Sequence, residues 1–263
     1  MATDILQQIV DHKFSEIKAA KIRLPEKQLQ QMACSATHDQ KSLFNALQHP
    51  TGSGSRIIAE IKRASPSKGI IRPDLDPAFY ATAYEQAGAS AISVLTEERF
   101  FLGSCNDLKT ARNATTLPIL RKDFIISTYQ LYESVLMGAD AVLLIVRILS
   151  RKQLDDCLRI THELGMDALV EVHSETDLEA ACLAGARLIG INNRNLKTFE
   201  TDIRTSMQMV SRLQSGQVPV AASGIHTRKD LRHIRQAGIA NALIGESIVR
   251  AEDPGEFIKH LLS

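Results

Sequence analysis

The chain has 263 residues, 44% of them hydrophobic and 23% charged, with a formal net charge of +1 at pH 7. So neutral a balance excludes broad electrostatic binding of nucleic acid, which needs a basic face to displace counterions, and a chain without Trp is poorly supplied for base stacking. No apolar run approaches the roughly 20 residues that span a bilayer, an acid at Asp4 stands where a leader would be basic, and the cysteines Cys34, Cys105, Cys157 and Cys182 lack paired-ligand spacing.

A cytoplasmic protein is therefore expected, with no metal, no cofactor, no membrane and no nucleic-acid partner. The cysteines read as buried or half-buried small apolar groups. A monomer is expected.

Along the chain, Ile5, Leu6, Ile9, Ile17 and Ala20 form one stripe of a helix over residues 4–20. Further helices are expected over 26–33, after Pro25, and over 40–48. Residues 1–50 thus read as an N-terminal helical extension packed on, or lidding, a core that spans 56–263. Residues 51–55, rich in Gly and Ser, are a flexible joint within a single domain.

From Ile57 a repeat sets in. Short apolar runs at 57–61, 91–95, 118–121, 141–146, 168–172, 188–191, 218–221 and 242–244 predict eight strands with helical patterns between them. Five connections carry a glycine just before the strand: Gly88, Gly138, Gly165, Gly185 and Gly238. A helix that ends on a left-handed residue satisfies its last carbonyls, and glycine takes that conformation without a Cβ clash. Strands alternating with helices imply a parallel sheet. Eight such units close into a (β/α)8 TIM barrel, an α/β fold. An open doubly wound sheet would usually show a glycine-rich turn after its first strand, where this chain has Glu60-Ile61-Lys62-Arg63.

In such a barrel, chemistry sits where strands run out into the following loops. Those positions hold Glu60, Lys62 and Ser65; Thr96, Glu97 and Glu98; Lys122 and Asp123; Arg147; Glu171 and His173; Asn192, Asn193 and Arg194; Ser223 and Gly224; and Gly245, Glu246 and Ser247. The opposite strand ends carry far fewer charges. Strand alternation turns Glu60 and Lys62 to one face, Lys122 inward with Leu120, and Glu171 inward with Leu169. Two lysines and two carboxylates in a partly dry mouth shift one another's pKa, as acid–base catalysis requires. Asn192 adds a neutral hydrogen-bonding group, while His173 reads as a loop stabiliser.

The Ser-Gly turn after strand seven and the Gly-Glu turn after strand eight fit a phosphate on backbone N–H groups. Ser65 and Ser67 close that site from the first loop. Phe100, Phe101 and Phe124 wall a pocket for a flat ring.

The stretches Ile58-Ala59-Glu60-Ile61-Lys62-Arg63-Ala64-Ser65-Pro66-Ser67, Leu95-Thr96-Glu97, Leu120-Arg121-Lys122-Asp123-Phe124, Leu169-Val170-Glu171-Val172-His173 and Gly190-Ile191-Asn192-Asn193-Arg194-Asn195-Leu196 closely resemble the indole-3-glycerol phosphate synthase family of tryptophan biosynthesis. The resemblance implies decarboxylating, dehydrating ring closure of 1-(2-carboxyphenylamino)-1-deoxyribulose 5-phosphate, a phosphorylated substrate with an anthranilate ring. It implies Lys122 as general acid on the substrate carbonyl with Glu171 as partner, and Lys62 on the substrate carboxylate with Glu60 as acid/base. Asn192 would orient a sugar hydroxyl. Ser65, Ser223, Gly224, Gly245 and the Glu246 backbone would hold phosphate, and Phe101, Phe124, Leu143 and Leu196 would flank the ring.

One departure from the family pattern is Ala222, where a glutamate is usual. Three rival readings remain at this point. They are a phosphate-binding ketose isomerase, a Schiff-base aldolase using Lys122, and a catalytically weakened barrel kept for binding.

Overall fold

Runs of β-branched and small apolar residues form eight parallel strands that close on themselves. The computed structural model describes residues 5–36, 39–48, 54–195 and 198–263. Its barrel strands are β1 (Arg56–Ile61), β2 (Ala91–Leu95), β3 (Ile119–Lys122), β4 (Ala141–Ile145), β5 (Asp167–Val172), β6 (Leu188–Asn192), β7 (Val218–Ala222) and β8 (Asn241–Ile244). Each pairs with the next in chain order, and β8 returns to β1 with Leu243 opposite Ile58. Every expected strand is present with its ends within one residue of expectation. Pro118 stays just outside β3: it lacks an N–H for the ladder, although its carbonyl still accepts from Ile92.

Around the barrel run α4 (Pro77–Gln86), α5 (Cys105–Asn113), α6 (Thr128–Met137), α7 (Arg151–Glu163), α8 (Glu175–Leu183), α9 (Arg204–Met209), α10 (Arg228–Gln236), α11 (Glu246–Arg250) and α12 (Pro254–Leu262). They follow α1 (Ile5–Arg23), α2 (Glu26–Ser35) and α3 (Leu43–Gln48). Seven of the barrel helices start at an Asp, Ser or Thr whose side chain accepts a first-turn N–H, which satisfies donors that the helix itself leaves open. At the other end of five of them, the repeated glycines all have positive φ, from 76° at Gly165 to 100° at Gly238.

Side chains alternate between two cores. Ile58, Leu120, Leu143, Leu169, Leu188, Val220 and Leu243 fill the barrel interior, while Ile57, Ile92, Ile119, Val170 and Ile189 pack outward beneath the helices. Each fully buried side chain of this size stabilises by about 1.5–3 kcal/mol.

The N-terminal helices divide their labour, which the expectation of a common extension does not capture. α3 inserts Leu43, Phe44 and Leu47 into the interior cluster and plugs the end where the strands start. It is shorter than expected because residues 40–42 are tied down outside the helix. Gln40 Nε2 donates to Leu164 O at 2.9 Å, Lys41 N to Asp140 Oδ1 at 2.8 Å and Ser42 Oγ to Asp167 Oδ2 at 2.9 Å. α1 lies at the opposite end, with Ile5, Leu6 and Ile9 against the mouth.

Cys34 is exposed, contrary to expectation, whereas Cys157 is buried and its thiol is pushed up to about 11 by that burial. Most of the expected joint, residues 51–53, lies outside the described residues. No described helix is long and apolar enough to cross a membrane.

Candidate active site

The strand ends meet in one cavity, and its centre is a carboxylate shared by two ammonium groups. Glu60, at the end of β1, is buried. Lys62 Nζ donates to its Oε1 at 2.6 Å and Lys122 Nζ, from β3, reaches Oε2 at 3.4 Å. Burial alone would raise the Glu60 pKa, but the two ammonium groups outweigh it and hold the carboxyl down to about 2. Lys122 is shifted the other way: burial opposes its charge, yet Glu60 and then Glu171 raise its pKa above the ordinary lysine value.

Across the mouth, Glu171 of β5 accepts from Asn192 Nδ2 of β6 at 3.1 Å. Asn192 Oδ1 in turn takes the backbone N–H of Arg194 at 3.0 Å, and Arg194 Nη1 donates to Ser67 Oγ at 3.2 Å. Of the expected acid–base set, Glu60, Lys62, Lys122, Glu171 and Asn192 all line this one cavity. The cations Lys62, Lys122 and Arg194 share the lining with four carboxylates. Asp123 is neutralised from outside it by Arg121 and Lys13, and Glu246 by Arg250, which leaves Glu60 and Glu171 to balance the three cations. Ala222, also in the lining, adds no acid. The mouth therefore favours a polyanion.

The turn after β7 is shaped for close approach to such an anion. Ser223 and Gly224 take successive left-handed conformations, φ 68° and 75°. Asn193, buried beside them, donates to Ser223 O at 3.0 Å and accepts from Ser206 N at 3.0 Å, so its role is to hold this turn. Gly245 precedes α11, and a Cβ there would overlap Oε1 of Glu60; only glycine lets β8 pass so near the central carboxylate. Glu246 directs its carboxylate to Arg250 at 3.1 Å, with Lys68 at 3.9 Å. That leaves its backbone as the anion-facing part. Ser65, Ser67, Ser223, Gly224 and Gly245 all line the cavity.

Phe101 and Phe124 face one another with centroids 5.9 Å apart, and Leu143 lines the cavity with them. Phe100 departs from expectation: its ring meets His12 edge-on at 6.3 Å, away from the cavity. Glu97 makes the choice between the two neighbours. Its buried carboxylate accepts from the N–H of Arg99 at 3.1 Å, Phe100 at 2.7 Å and Phe101 at 3.0 Å. That cradle folds the loop and presents Phe101 inward. Leu196 lies outside the described residues.

Other strand-end candidates prove to be supports. Thr96 and Arg121 lie behind the wall and hold Asp123, which borders the cavity, and Arg147 pairs with Asp177 at 2.9 Å. The lining from α1, Ile5, Leu6 and Ile9, is not among the site residues read from sequence. Its signal was the helical stripe itself, which does not say which surface it covers.

The geometry matches what comparison with known proteins finds. A family model described as indole-3-glycerol phosphate synthase matches residues 6–261. The indole-3-glycerol phosphate synthase of Desulfosudis oleivorans is 56% identical over 262 residues, covering 99% of each chain. That of Syntrophobacter fumaroxidans is 51% identical over 259 residues, covering 98% of this chain and 97% of its own. Among solved structures, thiamine phosphate pyrophosphorylase from Pyrococcus furiosus superposes with a TM-score of 0.61 at 15% identity, covering 84% of this chain and 96% of its own, a likeness of fold. With a family match over nearly its whole length, the chain belongs to the indole-3-glycerol phosphate synthase family.

Proposed function

We propose that this mouth carries out the family reaction, closing the indole ring of 1-(2-carboxyphenylamino)-1-deoxyribulose 5-phosphate with loss of CO₂ and water. The observation that carries the reading is Glu60 bridging two protonated lysines opposite the Glu171–Asn192 pair. The phosphate sits on the Ser223-Gly224 turn and the Gly245-Glu246 backbone, with Ser65, Ser67 and Arg194 closing over it. The aromatic ring lies between Phe101 and Phe124 with Leu143 below.

Lys122 protonates the ketone oxygen as the ring carbon attacks, and Glu171 partners it in returning the proton. Loss of CO₂ then restores electrons to the ring. Lys62 holds the substrate carboxylate before that loss and serves the dehydration afterwards. Asn192 orients a sugar hydroxyl. A carboxyl held at about 2 is a weak base near neutrality, so Glu60 acts first as the anion that keeps Lys122 charged. Its acid–base role begins once substrate draws Lys62 away.

The raised pKa of Lys122 disfavours the Schiff-base alternative, which needs a neutral amine. All these groups come from one chain, so a monomer can be the working unit. Incubation with the anthranilate-derived ribulose phosphate should develop indole absorbance and fluorescence. Silence across about pH 6 to 9, where such acid–base pairs operate, would overturn the reading.

Gly245 offers a second check. In Gly245→Ala the new methyl must displace Glu60 from its lysines, and kcat/KM should drop by about 10²-fold, the low end for a disturbed acid–base group. A variant as active as the unmutated enzyme would show that the close approach of β8 to Glu60 is dispensable.

A further inference from the structure

His173 is buried at the edge of the mouth, and no step above uses it. Its side chain is 3% exposed, yet neither ring nitrogen has a hydrogen-bond partner among the described residues. A buried polar atom left without a partner is destabilising, so a residue in that condition calls for a reason other than stability. The loop does not supply one. The backbone N–H of His173 is already fixed by Asp177 Oδ2 at 2.8 Å, and that bond needs no imidazole.

The ring's close polar neighbour is Glu171. His173 Nε2 stands 3.3 Å from Glu171 Oε1, near enough for ion pairing but misaligned for a hydrogen bond. Asn192 Nδ2 holds the same oxygen at 3.1 Å. Oε2 of Glu171 makes no hydrogen bond among the described residues. One carboxylate oxygen is thus engaged from two sides, and the other is free.

We propose that His173 is a positioning residue for Glu171, fixing Oε1 together with Asn192 so that Oε2 stays turned to the substrate and able to take a proton. This rests on the reading of Glu171 as the proton partner of Lys122. A small rotation of the imidazole aligns Nε2–H with Oε1 and gives that nitrogen its partner when substrate fills the mouth.

A neutral imidazole suits the task, because a donor without charge orients a carboxylate and lowers its basicity less than a cation at the same place would. The charged groups around the ring are Glu171 on β5, Arg147 after β4, Asp177 on α8 and Lys122 on β3. Burial is the largest influence and favours the neutral ring. Arg147 and Lys122 act in the same direction, while Glu171 and Asp177 oppose it, and the pKa lies below the ordinary histidine value. Acidification through that pKa would place a cation beside Oε1 and make Glu171 a poorer base, so kcat falls on the acid side.

The test is a double-mutant cycle on the intact enzyme, with melting temperatures recorded for every variant. His173→Leu should lower kcat about tenfold with KM held within about twofold, the split expected when an interaction matters in the transition state alone. His173→Gln, which keeps an N–H donor, should recover most of that loss. In a Glu171→Gln background, His173→Leu should cost nothing further. The acid limb of kcat should be shallower in His173→Leu than in the unmutated enzyme.

Unchanged kcat in His173→Leu, or an equal fold-loss with and without Glu171, would overturn the proposal and leave the ring a packing role. If His173→Leu fails to fold, His173→Gln against His173→Asn, which is too short to reach Oε1, carries the same comparison. An unmutated enzyme that forms no indole would instead overturn the reading of the site.

Discussion

Lys122→Met should lower kcat for indole formation by about 10³-fold, within the range expected when a general acid is removed, and leave KM nearly unchanged. Lys122 sits where three demands meet. Parity with Leu120 turns it into the barrel, Glu60 and Glu171 hold its proton on, and it lines the same cavity as the Ser223-Gly224 turn and the Phe101 and Phe124 rings. Methionine keeps the unbranched apolar stem of lysine and removes the ammonium group, its proton and its charge together. Binding through phosphate and ring should persist, so kcat and kcat/KM fall together, the signature of an interaction made only in the transition state. With one cation gone, the Glu60 pKa should rise from about 2. Full activity in Lys122→Met would defeat the assigned role while leaving the family membership intact.

The sequence made the barrel legible because each βα unit repeats one physical solution: an apolar strand, a capped helix start and a glycine at the helix end. The acid–base set was legible for a related reason. Strand parity converts residue spacing into direction, so Glu60, Lys122 and Glu171 are turned inward by spacing alone. Loops have no such rule. Phe100 and Phe101 are adjacent and chemically identical, and the choice between them is made by a carboxylate, Glu97, bonding three backbone N–H groups, an arrangement that spacing does not encode. The α1 contribution was hidden differently. A lysine within a mostly polar helix reads as a solvated surface residue, and nothing local marks Lys13 as buried.

That buried lysine sets the largest stability effect expected here. Lys13 Nζ lies 2.8 Å from Glu16 Oε2 on its own helix and 3.1 Å from Asp123 Oδ1, one residue beyond Lys122. Asp123 also accepts from Arg121 Nη2 at 3.0 Å, Thr96 Oγ1 at 2.7 Å and Phe124 N at 2.8 Å. Burial alone would raise its pKa, but Arg121 and then Lys13 pull it down to about 2. Asp123→Asn leaves both cations facing a neutral amide in a dry site. Removing one partner of a buried ionic cluster costs about 3–5 kcal/mol, and the urea midpoint should fall accordingly. Lys13→Met should cost less, because Arg121 still neutralises Asp123.

The sign with pH follows from the depressed carboxyl. Its stabilisation is complete above the unfolded value of about 4 and is lost as pH falls toward about 2. Asp123→Asn should abolish that part of the acid sensitivity. Both variants should also raise KM, because Ile5, Leu6 and Ile9 reach the mouth only while α1 is held there. A KM unchanged in Lys13→Met would mean that α1 keeps its place without the latch. An Asp123→Asn enzyme as stable as the unmutated one would mean that the buried cluster does not anchor the helix at all.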